Sequence, residues 1–339
     1  MTKVLTLGEM MLRLKPIDHQ RIIQANTYDA NYGGSEANVA VSLALLGDQA
    51  EYFSKLPANP LGDMAIGTLR QYGVNTSKVL RGGKRLGIYF FEKGASIRNT
   101  SVVYDRADSS FATMTSTEFD WPKILAGVNY FYFSGITAAL SEDIRTALLQ
   151  ACEYCQANHI TVACDMNYRG KMWTPEAAQA AMAKLMPYVN ICLANDEDFE
   201  ASLGIKAFDG DMTRGIEQRD QFEQAMRQVQ QQYPNCHTVA SVLRDIHSVE
   251  DSTWTAMMLQ DGQIFEGPAY KMHVFEGVAG GDAFGAGLMH GLINDFTPQA
   301  TIDYAITASA LKLTISGDLN LVTDADVRNA MQSGNSVDR

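Results

Sequence analysis

The chain has 339 residues, and its 27 lysines and arginines against 39 aspartates and glutamates give a formal net charge of −12. Hydrophobic residues make up 46% of the sequence and charged residues 19%, which supports a buried core and excludes wholesale disorder. An acidic surface repels a polyphosphate backbone, so nucleic acid is excluded as the main partner. An anionic small molecule would need a local cluster of arginine or lysine side chains.

The apolar runs are too short for a membrane-spanning helix, which requires about 18 consecutive residues. The richest run, residues 125–140, is interrupted by polar side chains, and the apolar residues 4–7 are too few for a signal peptide. We therefore expect a cytoplasmic protein with no membrane partner. The 5 cysteines are an odd number in a long chain, which favours buried thiols over a disulfide framework or a metal site.

Short apolar runs alternate with helical patterns along most of the chain, which predicts an α/β fold with a mostly parallel central sheet flanked by helices. Strands are predicted at residues 4–8, 49–55, 130–134, 161–165, 191–194 and 238–243. Helices are predicted at residues 35–46, 63–72, 142–158, 175–185, 197–203 and 220–233, and further helices start at Ala283 and Thr301. A hairpin is predicted over residues 254–265, with its turn at Asp261 and Gly262.

Two segments, residues 10–32 and 85–106, lack helical periodicity and alternate as short exposed strands do. They are inserted between the predicted strands and helices of the main sheet, so they predict a small separate sheet beside it. We interpret this sheet as a lid over an active site, within a single domain spanning residues 1–339. A surface hairpin with no role would give the same pattern.

The window over residues 277–288 is rich in glycine and leads into a predicted helix. Small residues let the backbone approach a ligand, and free amides at a helix start form an anion site. Asp282 lies at this helix start, where it is either a helix N-cap or a base directed into the anion site. No Lys-Ser/Thr pair follows the glycines, so the window is not a Walker A loop.

A second glycine pair, Gly33 and Gly34, leads into the helix that ends before Gly47. Paired glycines at a helix entry allow the backbone to approach hydroxyl groups of a sugar, with Asn38 orienting the loop. A purely structural turn with Ser35 as the N-cap would look the same.

Taken together, these motifs resemble the ribokinase-like (PfkB) carbohydrate kinases. The residues that carry the resemblance are Gly33-Gly34-Ser-Glu-Ala-Asn38, Ala279-Gly280-Gly281-Asp282 and an NxxE-like element at Asn195-Asp-Glu-Asp198. Further stretches are similar to the 2-keto-3-deoxygluconate kinase branch: residues 8–14, 103–110, 165–169 and 314–323. The resemblance implies the ribokinase-like fold, a β lid that often also forms a dimer interface, and hence a homo-oligomer.

The resemblance implies transfer of the ATP γ-phosphoryl group to the terminal hydroxyl of 2-keto-3-deoxygluconate. Asp282 is expected to take the hydroxyl proton, while the amides of Ala279, Gly280 and Gly281 stabilise the moving phosphoryl group. Mg²⁺ is expected to bind to the ATP phosphates, and Asp198 is expected to contact the ion through a water molecule. The expected substrate contacts are Gly33, Gly34, Asn38, Tyr89, Tyr104, Arg106 and Arg169. The expected nucleotide contacts are Asn195, Ser241, Arg244 and Gly281.

The arginines also have a physical basis. Arg106 ends a lid strand and Arg169 follows a main-sheet strand at its carboxyl end, where open α/β sheets bind ligands. A guanidinium offers planar paired donors to a carboxylate, which favours a sugar acid over a neutral sugar.

Three positions depart from the family pattern. Ala279 stands where glycine is usual, and its β-carbon is expected to be tolerated only with a negative φ. Glu276 and Gly277 stand where aspartate and threonine or arginine are usual, and Asp198 replaces glutamate. Two alternatives therefore stay open: a kinase of a neutral sugar such as fructose or ribose, and a non-catalytic regulator that binds a sugar acid on the same fold.

Overall fold

The computed structural model describes residues 2–332. Its strands are β1 (Lys3–Leu7), β2 (Met11–Pro16), β3 (Tyr28–Gly33), β4 (Gln49–Phe53), β5 (Lys55–Leu56), β6 (Leu80–Arg81), β7 (Gly87–Glu92), β8 (Ser101–Asp105), β9 (Tyr130–Ser134), β10 (Thr161–Asp165), β11 (Ile191–Leu193), β12 (Thr238–Ile246), β13 (Asp251–Gln260), β14 (Gln263–Glu266) and β15 (Tyr270–His273). Its helices are α1 (Ser35–Leu46), α2 (Pro60–Gln71), α3 (Trp121–Ile124), α4 (Gly135–Ala139), α5 (Glu142–Ala157), α6 (Pro175–Leu185), α7 (Asp198–Leu203), α8 (Arg219–Gln232), α9 (Gly280–Ile293), α10 (Pro298–Lys312) and α11 (Asp324–Gln332).

The main sheet has the strand order β14-β13-β12-β11-β10-β9-β1-β4, and β15 pairs with β13. The strands from β12 to β4 in this order run parallel, and β13 to β15 add antiparallel pairs at one edge. The α/β fold with a mostly parallel sheet is confirmed. All parallel strands end at one edge of the sheet, and ligands of open α/β sheets bind at this edge.

A second sheet, the small sheet, has the order β3-β2-β7-β8. Its strands lie within the two predicted segments, except that β3 continues one residue further, to Gly33. The outer strand β8 is exposed along most of its length, whereas β2 is almost wholly buried. β2 is an inner strand of this sheet, whereas β3 and β8 form its two edges. Residues 333–339, at the end of the predicted domain, lie outside the described residues.

Two apolar cores lie on the two faces of the main sheet. Neighbouring residues of β9 alternate between them, with Phe131 and Phe133 on one side and Tyr132 on the other. Helices α5, α6 and α8 cover the first face, and α1, α9 and α10 cover the second. Within residues 2–332, no helix has the length and apolar character needed to cross a bilayer.

Local signals account for most helix ends. Helix α1 matches its predicted bounds, and Gly47 closes it with φ of 103°, a left-handed conformation that glycine adopts without strain. Helix α2 begins at Pro60, three residues before its predicted start, because Asn59 caps it by accepting from Leu61 N and Gly62 N. Helix α11 was not expected from the sequence. The predicted hairpin turn at Asp261-Gly262 is confirmed, with φ of 49° and 79°.

Candidate active site

A cleft of about 770 Å³ lies between the carboxyl edge of the main sheet and the inner face of the small sheet. Most of the predicted site residues line it. These are Gly34, Asn38, Tyr89, Tyr104, Arg106, Arg169, Asn195, Asp198, Arg244, Ala279, Gly280, Gly281 and Asp282. Gly33 and Ser241 are not among the lining residues. Residues separated by more than 240 positions therefore meet in one cavity.

Asp282 is the third residue of α9, and the N-cap position belongs to Ala279. The N-cap interpretation of Asp282 is therefore wrong. Its Oδ2 accepts from Asn38 Nδ2 and its Oδ1 accepts from Ser35 Oγ, both at 2.7 Å. Burial raises the pKa of Asp282, while these two hydrogen bonds and Arg169 act in the opposite direction. Asp282 is therefore an oriented carboxylate at the wall of the cleft, and its oxygens can accept further hydrogen bonds. A general base requires this arrangement.

The entry to α1 brings the backbone close to its neighbours. A β-carbon on Gly34 would lie 2.1 Å from the carbonyl oxygen of Glu9, so only glycine fits at this position. Asn38 accepts from Gly34 N at 3.3 Å and thereby connects this loop to Asp282. Ser35 is the first residue of α1, and Gly34 holds the N-cap position, so the alternative with Ser35 as N-cap is wrong. The Ser35 hydroxyl donates a hydrogen bond to Asp282 instead.

Gly33 lies behind the cleft wall. A β-carbon there would come within 2.6 Å of the Asp318 β-carbon, so its role in the structure is close packing. The position does not support the predicted direct contact with the sugar.

The loop before α9 contains the largest departure from expectation. Ala279 has φ of 58°, in the left-handed region, so the expectation of a negative φ is wrong. For a non-glycine residue this conformation costs roughly 1–2 kcal/mol. The turn leaves the first amides of α9 open to the cleft, and a β-carbon on Gly281 would meet no atom within 4 Å. This open helix start fits a phosphate group.

The two predicted carboxylate-binding arginines differ in their partners. Arg106 Nε lies 2.9 Å from Glu9 Oε2, and its Nη2 contacts the same oxygen, so Glu9 offsets part of its charge. Arg169 donates from Nη1 to the Tyr168 carbonyl oxygen at 3.3 Å and has no carboxylate partner among residues 2–332. Arg169 therefore has donors available to an anionic ligand, whereas Arg106 is held by Glu9.

The two predicted tyrosines lie side by side on the small sheet, with ring centroids 6.0 Å apart. The Tyr89 hydroxyl donates to Asp318 Oδ1 and is therefore already engaged, and both residues line the cleft. Tyr104 is 39% exposed and lies beneath the Arg106 guanidinium, 5.6 Å from ring centroid to Cζ.

The predicted nucleotide contacts are only partly brought together. Asn195 Oδ1 accepts from Val242 N at 2.7 Å. Arg244 is paired with Asp196 and lies over the Trp254 ring at 5.2 Å. Burial, with a smaller effect of Arg169, lowers the pKa of Arg244 to about 10, so it remains a cation at neutral pH.

Ser241 does not reach the cleft. Its side chain is fully buried, and its hydroxyl donates to the Ala194 carbonyl oxygen. The prediction that it contacts the nucleotide fails because the side chains of a strand alternate, and Ser241 points to the face opposite that of its neighbour Val242, which does line the cleft.

Asp198 is the predicted contact to Mg²⁺, and Asp165 is a second carboxylate that lines the cleft. Both Asp198 oxygens accept backbone amides, Oδ1 from Tyr168 N at 2.7 Å and Oδ2 from Asn195 N at 2.8 Å, and burial raises its pKa to about 6. Asp165 is 2% exposed, and its Oδ1 has no hydrogen-bond partner within residues 2–332. Among residues 2–332, no group of three or more potential ligands is arranged around a metal position. The cleft thus fits a metal ion that arrives on a polyphosphate better than a resident one.

Sequence reasoning missed several residues of the cleft. Glu9 and Asp165 each follow or end a parallel strand at its carboxyl edge, which is a signal that could have identified them. Ser35 lay inside the recognised motif and was read only as a cap. Asp318 lies within the similar stretch 314–323, but its contact with Tyr89 joins positions 229 residues apart and was not predicted.

Comparison with known proteins accords with this geometry. The sequence pattern of the pfkB family carbohydrate kinases matches residues 1–325. The chain belongs to this family. It is 32% identical over 343 residues to a 2-dehydro-3-deoxygalactonokinase of Haloferax volcanii, with 99% of both chains covered. A carbohydrate kinase of this family needs a base, an anion site and a sugar pocket, and one cleft offers all three.

Solved structures extend the comparison. The crystal structure of a 2-dehydro-3-deoxygluconokinase from Thermotoga maritima has a TM-score of 0.93 and 41% identity, covering 98% of this chain and 100% of that one. A putative ribokinase from E. coli in complex with ATP and Mg²⁺ has a TM-score of 0.81 at 17% identity, covering 98% of this chain and 99% of that one. The second likeness shows the shared fold alone.

The strained turn at Ala279 leads to a prediction about stability. Ala279→Gly is expected to raise the free energy of unfolding by about 0.5–1 kcal/mol, because relief of the left-handed strain exceeds the extra backbone entropy of glycine. Urea denaturation measures this. Ala180→Gly, on the exposed face of α6, is the control and is expected to destabilise by about 1 kcal/mol. Equal destabilisation by both changes would contradict the strain argument.

Proposed function

We propose that this carbohydrate kinase transfers the γ-phosphoryl group of ATP to the terminal hydroxyl of 2-keto-3-deoxygluconate. One observation carries the proposal: Asp282 is fixed by Asn38 and Ser35 beside the open start of α9, in the same cleft as Arg169. The cleft therefore combines a base, an anion site and the cation Arg169. This combination matches a substrate that carries both a hydroxyl and a carboxylate. The two relatives named for 2-dehydro-3-deoxy sugar acids support this substrate class.

In the proposed reaction the sugar hydroxyl lies against Asp282, which takes its proton as the oxygen attacks phosphorus. A new oxygen–phosphorus bond forms, and the bond from phosphorus to the ADP oxygen breaks. The amides of Ala279, Gly280 and Gly281 stabilise negative charge on the transferred group. The small sheet would exclude water from the cleft, which would otherwise accept the phosphoryl group.

Arg169 is the proposed partner of the substrate carboxylate. It has no carboxylate partner of its own among the described residues, and binding an acid there would satisfy donors that the protein leaves free. Arg106, oriented by Glu9, adds a second guanidinium. The ring of Tyr89 and the backbone at Gly34 are the proposed walls of the sugar pocket.

The proposed cofactors are ATP and Mg²⁺, as in the complex described for the E. coli structure. When bound, they supply the phosphoryl group and neutralise charge on the phosphates. The residues that would hold the nucleotide are Asn195, Arg244 and Gly281, and the free Oδ1 of Asp165 is the carboxylate atom best able to bind water or metal. Asp198 would act indirectly, by holding the loop at Asn195.

We propose further that the protein works in the cytoplasm as a homo-oligomer assembled through the small sheet. Two features support this interface: β8 pairs only with β7 among the described strands, and exposed apolar side chains lie on β8 and on the connections of the small sheet. Ile97 is 97% exposed, Ile23 87% and Val103 52%. The other proposed partners are the sugar acid and ATP, with no nucleic acid or membrane.

An acceptor panel tests the function. Purified protein with ATP and Mg²⁺ is expected to release ADP with 2-keto-3-deoxygluconate or its galactonate-derived epimer, and far less with fructose or ribose. Asp282→Asn is the matched control, expected to lower kcat at least about 100-fold while sugar binding by calorimetry stays within a few-fold. Binding without turnover by the unaltered protein would favour a regulator, and turnover only with a neutral sugar would favour the other alternative.

A pH profile tests Asp282 as the base. Turnover is expected to fall as the pH falls through its raised pKa, because only the ionised carboxylate accepts the proton. Ser35→Ala removes a hydrogen bond that lowers this pKa, so the acidic limb of kcat is expected to move to higher pH. The control is Ser42→Ala, on the same helix; Ser42 is buried, and its hydroxyl has no hydrogen-bond partner in the part of the chain that the structure describes. Both Asp198 oxygens accept backbone amides that neither serine change removes, so a shift of the acidic limb reports on Asp282.

A substitution of Arg169 tests recognition of the carboxylate. Arg169→Ala is expected to raise KM for the acid about 10- to 100-fold, because a charge-assisted bond is lost, and to change KM for a neutral sugar less than about threefold. Lys206→Ala removes an exposed cation that does not line the cleft and controls for the change in net charge. Equal effects of Arg169→Ala on acid and neutral substrates would remove the basis for choosing a sugar acid.

A further inference from the structure

Arg13 is a charged residue of the small sheet with no exposure to solvent. It lies on β2, and its guanidinium forms two ion pairs with residues of the main domain. Nη1 is 2.6 Å from Glu276 Oε1, and Nε is 2.9 Å from Asp318 Oδ2. Glu276 is also fully buried, and Asp318 is 3% exposed. One side chain thus bridges two carboxylates from distant parts of the sequence inside the protein.

Glu276 connects this bridge to the phosphate side of the cleft. It lies three residues before Ala279, and its carbonyl oxygen accepts from Val278 N at 2.9 Å. Its side chain also accepts from Lys15 Nζ at 3.0 Å and from Gly317 N at 3.2 Å. The start of the loop that forms the anion site is therefore held by charges on β2.

Asp318 connects the same bridge to the sugar side. Its Oδ1 accepts from the Tyr89 hydroxyl, and both residues line the cleft. Gly33 packs so closely against Asp318 that no side chain fits between them. A ligand that presses on the Tyr89 ring therefore acts on a carboxylate that is itself paired to Arg13.

The four side chains form a continuous path, Tyr89–Asp318–Arg13–Glu276, from the sugar pocket to the phosphate loop. Charges buried away from water interact strongly, because little solvent screens them. All four groups are buried, so none of them has bulk solvent as an alternative partner.

We propose that Arg13 is a positioning residue that couples the two halves of the cleft, so that a bound sugar acid raises the affinity for nucleotide. The proposal rests on the proposed function. Neither Arg13 nor Glu276 contacts the reacting atoms. The bridge acts by holding the loop at residues 276–279 in the position that the occupied sugar pocket favours.

Calorimetry with a non-hydrolysable ATP analogue tests the coupling. Its Kd is measured with Mg²⁺, with and without saturating 2-keto-3-deoxygluconate. For the unaltered protein we expect the sugar acid to lower this Kd at least about fivefold, and the analogue to tighten sugar binding by the same factor. Tyr89→Phe keeps the ring but loses the bond to Asp318, and we expect the enhancement to fall below about twofold.

Arg13→Met is expected to abolish the enhancement as well, and Arg85→Met is the matched control. Arg85 belongs to the same part of the chain, but its partner Asp105 is exposed, so the enhancement is expected to persist. If Arg13→Met does not fold, Tyr89→Phe decides alone, because it leaves every buried charge paired.

Two outcomes overturn the coupling: independent binding of the two ligands to the unaltered protein, or a full enhancement retained in Tyr89→Phe. In both cases turnover of the sugar acid would leave the proposed function standing. Failure of the unaltered protein to bind or phosphorylate any sugar acid would instead overturn both proposals.

Discussion

Two hydrogen bonds that join opposite ends of the chain hold the active site together. Asn38 and Ser35, from the first helix, donate to the two carboxylate oxygens of Asp282, across 244 and 247 positions of sequence. A buried carboxylate without such partners would carry a large desolvation cost. The same bonds orient the base and bring the glycine loop of α1 against the glycine loop of α9. The sugar pocket and the phosphate site are therefore assembled by one interaction.

Buried carboxyl groups dominate the electrostatics of the cleft. Burial raises the pKa of Asp165 and Asp282, and it raises that of Asp198 to about 6. The charge of Arg169 opposes the shift at all three sites. Although the net charge of the chain is −12, Arg169, which has no carboxylate partner among residues 2–332, lies near these three buried carboxyl groups. The proposed binding of an anionic substrate therefore depends on this local charge and not on the net charge of the protein.

Backbone strain is concentrated at the same place. Asn167, Asp196 and Ala279 all line the cleft, and each is a non-glycine residue with positive φ, at 38°, 26° and 58°. Such conformations cost on the order of 1–3 kcal/mol each and persist only where the surrounding structure enforces them. Each one turns the chain at the carboxyl edge of the sheet or at the start of α9. Part of the stability of the protein is therefore given up to shape the site.

Local patterns in the sequence determined the α/β fold, the small sheet and the glycine loops, because periodicity and turn chemistry act over a few residues. They also identified Asp282 and Arg169, since both follow recognisable motifs. Only the tertiary structure decided that Ser35 donates a hydrogen bond to Asp282 and that Ser241 is buried away from the cleft. It also decided that the backbone of Ala279 is in the left-handed conformation. It alone revealed the pairing of Arg13 with Glu276 and Asp318. Such contacts depend on how distant segments pack, and no short stretch of sequence carries that information.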